Sequence, residues 1–448
     1  MDRTEFKITI TPDGPTFYRH KIEIPSDVLR VEFEYEYFPE RGKGGKNEID
    51  FALTGKSESP MDAERDIGTR GSAVRKIVVS EAYSTAGFDR VAPSEIAAAV
   101  IGRGRLYSDA VEVTVRWKFI KKQRRYYAGD PHVHSINSDG RLTYERLLKK
   151  AKRKGLEFIC VTDHNRTVIG ELPAVEGLTA IEGVEVTLYN GHANFLGVAR
   201  PYDESFSVEN VADWRRLAAQ ARARGAVIVL NHPFCKKCPW RWELSAEDFD
   251  GVEVLNGPPR EDNLNNAEWW KKQLPVKRLT PLGGSDYHRD YFVVSTLGMP
   301  TTFVLANSSE KKDILEGIKD GRTAVASSKK RGAIEMRVGN YTVGDEVPFS
   351  GNDADTVTVR VPYIKKGEIL RITDGKGVLK VVVASRTGEL VTEVAPRGKG
   401  AFYAEVMSRY RGIKRVLFDI LLTFMLPEDA FKRHPDFIFA LTAPIYFV

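Results

Sequence analysis

Two histidines separated by a single residue mark the end of an extended segment in the middle of the chain. His132 and His134 follow the run 126–131, and Asp139 comes just before a glycine that breaks the segment. In a β-strand, side chains two residues apart point to the same face, so the two imidazoles are aimed at one place. Neutral imidazole nitrogens and a carboxylate oxygen are ligands that transition metals accept. The pair alone is weak evidence, because solvent-facing histidines are common in strands.

The positions of the other histidines favour a metal site. The chain has 8 histidines, and those at 132, 134, 164, 192, 232 and 288 lie in its central part. His164 follows the apolar run 158–161, and His232 follows the run 226–230. Asp286 and His288 form a second alternating pair after 281–284. Histidines scattered over a core or surface would not gather at the ends of apolar runs. The pattern predicts that these side chains meet where several strands end.

Composition and charge are typical of a soluble globular protein. The 448 residues are enough for two or three domains, and the formal charge of +6 is slight for this length. No long basic stripe with interleaved aromatic residues supports a nucleic-acid partner. The first twenty residues lack a secretory apolar segment, and the late apolar run 416–426 is too short to span a bilayer. We therefore expect a cytoplasmic protein with no membrane partner.

Three cysteines do not form a disulfide framework. Cys160 lies in an apolar run and is expected to be a small core residue. Cys235 and Cys238 form a lone C-x-x-C motif, for which a reversible disulfide and an ordinary loop both remain open. A zinc ribbon is excluded because a second pair of ligands is missing.

Three regions differ in the pattern that must position these residues. Residues 1–127 alternate apolar and polar side chains in short segments, which predicts an antiparallel β-sandwich, with His20 facing solvent. Residues 128–326 repeat strand, loop and helix, with helices expected at 143–155, 208–225, 263–274 and 309–321. This rhythm predicts a parallel α/β barrel or sheet, whose chemistry collects at the carboxyl ends of the strands. Residues 327–448 return to β-patterns.

The ordered motifs of the central region resemble those of the polymerase and histidinol phosphatase (PHP) superfamily. They begin at Asp130-Pro131-His132-Val133-His134 and Thr162-Asp163-His164, and continue through Gly183-Val184-Glu185, Gly191-His192, Asn231-His232-Pro233 and Asp286-Tyr287-His288. The flanking β-regions resemble the branch related to carbaryl hydrolase, on weaker patterns such as Gly321-Arg322-Thr323.

The resemblance implies a distorted seven-stranded (βα) barrel that holds three divalent ions of Mn, Zn or Fe. Its motifs assign one ion to His132, His134, Glu185 and Asp286, a second to Glu185, His192 and His232, and a third to Asp139, His164 and His288. Asp139 stands where some members carry histidine, so the third ion meets a harder ligand. The resemblance assigns catalytic roles to Glu185, Asp286 and His288. It selects Glu185 over Glu182, which alternation places on the opposite face of the same strand.

The expected activity is that of a metal-dependent phosphoesterase, with a metal-bound hydroxide attacking a small-molecule phosphate ester. A carbamate, ester or amide hydrolase that uses the same site is the second hypothesis. A non-catalytic binding scaffold is the third, and the complete ligand set argues against it. Asp163 is expected either to orient a ligand or to cap its loop, and Asn165, Arg166 and Arg289 could contact an anionic substrate. Because all nine ligands lie between 132 and 288, removal of either flanking region should leave them intact.

Overall fold

A computed structural model describes residues 3–56, 64–168, 170–203, 205–291, 295–408, 410–425 and 436–448. The chain divides into two compact units. The first unit comprises residues 1–123 and 174–177, and the second comprises residues 124–173 and 178–448. The boundary predicted at residues 326–327 lies inside the second unit, and the division into three domains stays a prediction.

The first unit contains two four-stranded antiparallel sheets, ordered β1-β10-β3-β8 and β2-β9-β6-β7, and a short β4–β5 hairpin. Its strands are β1 (Arg3–Ile10), β2 (Phe17–Lys21), β3 (Val28–Phe38), β4 (Arg41–Gly42), β5 (Gly45–Lys46), β6 (Ile49–Lys56), β7 (Glu64–Arg70), β8 (Lys76–Val79), β9 (Ile96–Arg103) and β10 (Val111–Lys121). Both sheets contribute to one core, where the rings of Phe33 and Phe51 lie 5.5 Å apart. Alternation explains this packing, since Val111 and Val113 are buried while Glu112 is exposed.

His20 differs from its predicted position. It is half-buried and stacks on the ring of Phe6 at 4.0 Å, instead of facing solvent. The apolar ring faces the imidazole because β2 lies at the edge of its sheet near the aromatic residues of the core.

The second unit is a mixed α/β fold built on one large curled sheet. Its elements are β11 (Arg125–Val133), α1 (Tyr144–Arg153), β12 (Phe158–Val161), β13 (Thr179–Leu188), β14 (Gly191–Leu196), α2 (Val211–Ala223), β15 (Val227–Asn231), β16 (Gly251–Asn256), α3 (Glu261–Gln273), β17 (Thr280–Gly284), β18 (Thr301–Ala306), α4 (Lys311–Lys319) and β19 (Thr323–Ala326). They continue as β20 (Glu335–Val338), β21 (Tyr341–Thr342), β22 (Glu346–Val347), β23 (Val357–Ile364), β24 (Ile369–Asp374), β25 (Gly377–Val383), β26 (Gly388–Val394), β27 (Gly400–Ser408), α5 (Ile413–Met425), β28 (Phe437–Thr442) and β29 (Ile445–Phe447).

The strand order of the large sheet explains why the histidine-bearing ends meet. The order is β17-β16-β15-β14-β13-β12-β11-β18-β19-β28-β27-β24-β25, with β29 also paired to β27 and β22 paired to β29. The end of β17 returns to β11: the His134 amide donates to the Tyr287 carbonyl at 2.9 Å, and Asp130 accepts from the Ser285 amide at 3.0 Å. The sheet therefore curls, and the ends of β11 to β17 face one another. The sheet continues from β11 into β18 and does not end after seven strands. The number of strands in the barrel therefore stays a prediction.

The prediction of an all-parallel central sheet is wrong in part. β11–β12, β12–β13, β15–β16 and β16–β17 are parallel, but β14 pairs antiparallel with both β13 and β15. β13 and β14 are joined by a tight turn, which can connect only antiparallel strands. β15 is buried at every residue, as expected for a strand covered on both faces.

The four predicted helices are present; α1, α2 and α4 are shorter at both ends, whereas α3 begins two residues earlier and ends one residue earlier than expected. The Thr143 hydroxyl accepts a hydrogen bond from the Arg146 amide and caps α1, as predicted, and Gly155 follows with a φ of +78°. α5 was not predicted, because the region around it reads as strands. No helix among the described residues is long and apolar enough to cross a membrane.

Candidate metal centre

All nine residues predicted as ligands lie where the strands of the curled sheet end. They are His132 in β11, His134 and Asp139 after it, His164 after β12, Glu185 in β13, His192 in β14, His232 after β15, and Asp286 and His288 after β17. Their ligand atoms fall into overlapping groups, in each of which all atoms lie within 4.8 Å of one another. The structure thus brings together every predicted ligand.

Glu185 lies buried at the centre of five imidazoles, one of which is that of His134, whose Nε2 is 3.5 Å from Glu185 Oε2. Its Oε1 is 3.1 Å from His192 Nδ1, 3.4 Å from His132 Nε2 and 3.6 Å from His232 Nε2. Its Oε2 is 2.7 Å from His164 Nδ1. Burial acts to raise the pKa of Glu185, but the positive charge of His132 and hydrogen bonds from the imidazoles outweigh burial and hold it well below its usual value. The low pKa keeps this carboxylate in its ionised form.

Glu182 points away from this cluster, as strand alternation predicts. Its carboxylate forms an ion pair with Lys311 of α4. Only one of the two glutamates therefore faces the strand ends.

Asp286 brings its carboxylate to the two alternating histidines of β11. Its Oδ1 lies 3.1 Å from His134 Nε2 and 3.4 Å from His132 Nε2, and these two nitrogens are 3.1 Å apart. Burial opposes ionisation, but the positive charge of His132 and a hydrogen bond with His134 hold the pKa of Asp286 well below its usual value.

Asp139, His164 and His288 form the more open part of the cluster. Asp139 Oδ1 lies 3.2 Å from His288 Nε2 and 3.6 Å from His164 Nε2, and the Asp139 side chain is 59% exposed. Partial burial acts to raise the pKa of Asp139, but the hydrogen bond with His288 outweighs it and lowers the pKa to about 2. For His288 burial acts to lower the pKa, and the bond with Asp139 and the charge of Asp286 together raise it to about 9.

Glu253 is a functional neighbour that the sequence analysis missed. It lies buried in β16, and its Oε1 is 2.8 Å from His132 Nδ1. A hydrogen bond from Nδ1 to this carboxylate turns Nε2 toward the cluster, where loss of the Nε2 proton would free a lone pair for a cation. Asn256 donates to the other oxygen of Glu253 at 2.9 Å. The sequence did carry a signal for Glu253, because it is a charged residue between the apolar residues of β16.

Two further imidazoles are oriented in the same way. His164 Nδ1 lies 2.6 Å from the Thr187 hydroxyl, and His288 Nδ1 lies 2.8 Å from the Asp286 carbonyl oxygen. Donation from Nδ1 leaves Nε2 of each ring directed toward Asp139.

Asp163 holds the turn that carries Asp139 and does not orient an imidazole. It accepts hydrogen bonds from the Ser135 amide at 2.7 Å, the Ser135 hydroxyl at 2.7 Å and the Ser138 hydroxyl at 2.8 Å. Of the two roles expected for Asp163, the structure shows the loop-holding one.

Left-handed backbone is concentrated at this cluster. Among the described residues, the non-glycine residues with positive φ are Asn165 at 48°, His232 at 30° and Asp286 at 52°. His232 directly follows β15, and Asp286 and Asn165 lie in the loops that follow β17 and β12. Such conformations cost about 1–3 kcal/mol each and persist where the surroundings enforce them. The Asn165 amide bonds both backbone groups of Thr187 at 2.8 Å, which explains its conformation and gives it a structural role rather than a substrate contact.

Cys238 lies closer to the cluster than the sequence suggested. Its Sγ is 3.7 Å from His232 Nδ1 and 3.2 Å from Cys235 Sγ, and it falls into one ligand group with His192 and His232. Both cysteines are free thiols, and Cys160 is buried as predicted. The loop interpretation of the C-x-x-C motif is therefore incomplete.

The donor set fits divalent transition metals. Six imidazoles and three carboxylates supply borderline nitrogen and hard oxygen ligands within coordination reach of common points. Glu185 Oε2 and His134 Nδ1 are buried and lack a hydrogen bond of acceptable geometry among the described residues. His164 Nδ1 is only 2.7 Å from Glu185 Oε2, but the imidazole ring is not oriented to donate a hydrogen bond to that oxygen. A buried carboxylate oxygen without a hydrogen bond is expected where a cation binds.

A pocket of about 560 Å³ opens beside the cluster. Three of the predicted ligands line it together with cationic, amide and aromatic side chains: Asp139, Asp286, His288, Arg141, Lys237, Arg260, Arg289, Asn256, Ser285, Tyr291 and Thr296. A larger pocket of about 740 Å³ in the first unit is lined by charges that pair with one another, such as Lys118 with Glu32 at 2.7 Å. The smaller pocket is the one adjacent to the chemistry.

Comparisons with known proteins give partial similarities. No family model matches the chain. An uncharacterised protein of Methanocaldococcus jannaschii is 29% identical over 139 residues, which cover 29% of this chain and 77% of that protein. A phosphoribosyl 1,2-cyclic phosphate 1,2-diphosphodiesterase of Eggerthella lenta is 37% identical over 65 residues, which cover 14% of this chain and 25% of that enzyme.

Among solved structures, a two-domain protein of Bacteroides vulgatus containing a predicted PHP-like metal-dependent phosphoesterase is similar to this chain. The similarity covers 63% of this chain and 90% of that one, at 18% identity and a TM-score of 0.40.

Proposed function

We propose that this chain is a metal-dependent phosphoesterase of the PHP type that hydrolyses a small-molecule phosphate ester. The observation that carries the proposal is the buried carboxylate of Glu185 among five imidazoles that come from four strands. The name of the Eggerthella relative, a diphosphodiesterase, agrees with this activity. The seven-stranded barrel and the branch related to carbaryl hydrolase are finer parts of the same proposal.

In this proposal the nine converging residues hold three ions. One is held by His132, His134, Glu185 and Asp286, the second by Glu185, His192 and His232, and the third by Asp139, His164 and His288. Divalent ions bound there supply an acidified water and offset the charge that develops on the phosphoryl oxygens.

The chain's own residues then position the ligands and the substrate. Glu253 keeps the proton of His132 on Nδ1, so that Nε2 faces the cluster. Asp286 and His288 line both the cluster and the pocket, so a substrate in the pocket contacts them. Glu185, Asp286 and His288 are therefore the proposed catalytic residues. The cationic side chains of the pocket suit an anionic ester better than a neutral carbamate or amide.

Metal analysis followed by a substrate panel tests the proposal. We expect about three divalent ions per chain when the protein is purified without chelator or reconstituted with Mn, Zn or Fe. The loaded protein should release inorganic phosphate from phosphate monoesters or diesters faster than it releases phenol from a carboxyl ester or a carbamate. One ion or none after reconstitution would contradict the metal assignment. Faster turnover of the carbamate would contradict the phosphoesterase proposal and favour the second hypothesis, a carbamate, ester or amide hydrolase.

A further inference from the structure

Arg260 is the feature of the pocket that the proposed function leaves unexplained. It immediately precedes α3 and does not cap that helix with its side chain. Only 7% of the residue is exposed, and it lines the pocket beside the candidate metal centre. A buried guanidinium is costly unless its charge is compensated.

The other buried arginine of the described residues shows what compensation looks like. Arg331 is 6% exposed and donates two hydrogen bonds to the Glu368 carboxylate, at 2.9 and 2.7 Å. Arg260 donates from Nη2 to the neutral Asn256 amide oxygen at 2.7 Å. Its Nε has no hydrogen-bond partner among the described residues. The Asp262 carboxylate forms a long ion pair with it, with Oδ2 3.8 Å from Nε, which is beyond hydrogen-bonding distance. The guanidinium of Arg260 therefore lacks a bidentate anion.

A chain of hydrogen bonds fixes Arg260 relative to the metal centre. Asn256 accepts from Arg260 at 2.7 Å and donates to Glu253 at 2.9 Å, and Glu253 accepts from His132 at 2.8 Å. The backbone N–H of Asn256 donates to the side-chain oxygen of Asn263 at 2.9 Å and holds this residue in place. The same network thus orients a predicted metal ligand and a cation in the pocket wall. Such preorganisation is what a substrate-positioning group requires.

Apart from the predicted metal ligands, every charged residue that lines the pocket is cationic. Asp139 and Asp286 are the carboxylates that line it, and both belong to the predicted ligand set. The other charged lining residues are Arg141, Lys237, Arg260 and Arg289. The pocket therefore contains more cationic side chains than a single ester phosphate at the metal centre would contact.

We propose that Arg260 binds a second anionic group of the substrate, a phosphate or a carboxylate, while the ester phosphate lies at the metal centre. This inference rests on the proposed function and narrows it to substrates with two anionic groups. A pocket of about 560 Å³ has the size of sites for ligands of this class. The planar guanidinium binds either oxyanion with two parallel hydrogen bonds.

Three substrates and three variants test the inference in the metal-loaded, full-length protein. Fructose 1,6-bisphosphate carries a second phosphate, 3-phosphoglycerate carries a carboxylate, and p-nitrophenyl phosphate carries neither. Arg260→Met keeps most of the side-chain length and removes the charge, and Arg260→Lys restores a point charge. Arg331→Met is the control, since it removes a buried arginine that does not line the pocket.

We expect Arg260→Met to lower the ratio of kcat/KM for the two substrates with a second anionic group to that for p-nitrophenyl phosphate by about 10- to 100-fold, mainly through KM. Arg260→Lys should recover part of the ratio, and Arg331→Met should leave the ratio unchanged. A larger loss of kcat/KM for fructose 1,6-bisphosphate would identify the second group as a phosphate, and a larger loss for 3-phosphoglycerate would identify it as a carboxylate. An equal loss on all three substrates would overturn the inference, because Arg260 would then serve the ester phosphate or the fold.

A binding measurement separates this inference from the proposed function. If no phosphate ester is hydrolysed, titration calorimetry with 3-phosphoglycerate on the same proteins decides. Binding weakened by Arg260→Met and not by Arg331→Met supports the anion site although the phosphoesterase proposal fails. Equal binding by all the proteins overturns the anion site.

Discussion

Two glutamates on one strand give the most direct test at the scale of single residues. Glu185→Gln keeps the side-chain shape but removes the charge shared by five imidazoles. We expect a loss on the order of 100-fold or more in kcat/KM and of at least one bound ion. The matched control, Glu182→Gln, loses only an ion pair with Lys311 and should stay close to wild type. Kinetics and metal analysis of both folded variants measure the effect, and the reverse order would mean that the bridging carboxylate is misassigned.

His288 predicts how the stability of chelator-treated protein depends on pH. Its pKa in the folded chain is raised to about 9, because the bond to Asp139 and the charge of Asp286 outweigh burial, which alone would lower it. An unfolded histidine has a pKa of about 6.5. The protonated imidazole therefore stabilises the fold fully below about pH 6.5, and this contribution is lost as the pH rises through about 9.

Urea unfolding in the presence of chelator measures this effect. Between about pH 6.5 and pH 9, the wild type should lose more free energy of unfolding than His288→Gln does. Parallel pH profiles for the two proteins would show that the His288 charge is not coupled to folding.

Local spacing predicted that several of these side chains converge, but not the residues that orient them. His132 and His134, or Asp286 and His288, are visible because alternation along one strand brings both side chains to one face. Glu253 and Arg260 gain their roles from contacts across strands and loops, for which the sequence carries no periodic signal. Cys238 was missed for the same reason, since its contact with His232 depends on how the loop after β15 folds back.

At the scale of elements, the turn between β11 and α1 depends on one buried carboxylate. Asp163 accepts hydrogen bonds from Ser135 and Ser138 and so fixes the turn that carries Asp139. In Asp163→Asn the amide cannot accept all of these bonds. We expect the free energy of unfolding to fall by about 1–3 kcal/mol and the affinity for the third ion to fall by about 10- to 100-fold. Ser138→Ala, which removes one bond, is the milder control.

Metal stoichiometry and denaturation of these two variants check this prediction. A third ion that binds Asp163→Asn as tightly as wild type would show that the turn is held by other contacts.

The elements themselves were predictable where local chemistry decides them. α1 begins at a threonine cap and ends before a glycine, and β15 is a continuous apolar run. The antiparallel insertion of β14 and the helix α5 were not predictable, because strand direction and the choice between helix and strand depend on tertiary packing.

For the whole molecule, the two flanking regions should respond differently to removal. All nine predicted ligands lie in the second unit, so a chain lacking residues 1–123 is expected to fold and to bind metal. Residues 327–448 share a core with the central strands: Ala128, Phe303 and Ala324 pack in one cluster with Ile372 and Phe402. Removal of residues 327–448 would expose this apolar surface and the hydrogen-bonding edge of β19.

Expression of both truncated chains, followed by circular dichroism and metal analysis, measures the difference. We expect the first to be folded with bound metal and the second to aggregate. A folded, metal-free chain lacking residues 1–123 would show that the first unit contributes to the site.

The spread of the ligands along the chain, from position 132 to position 288, also bears on how the protein tolerates mutation. An ion that binds only the folded state adds stability with its free concentration, about 2.7 kcal/mol at one hundred times Kd. An average destabilising substitution costs about 1 kcal/mol. Substitutions throughout the second unit should therefore be harmless in cells well supplied with the ion and damaging in starved cells. Metal supply would then set how much sequence variation this chain can accumulate, and a variant library grown at two metal levels would measure it.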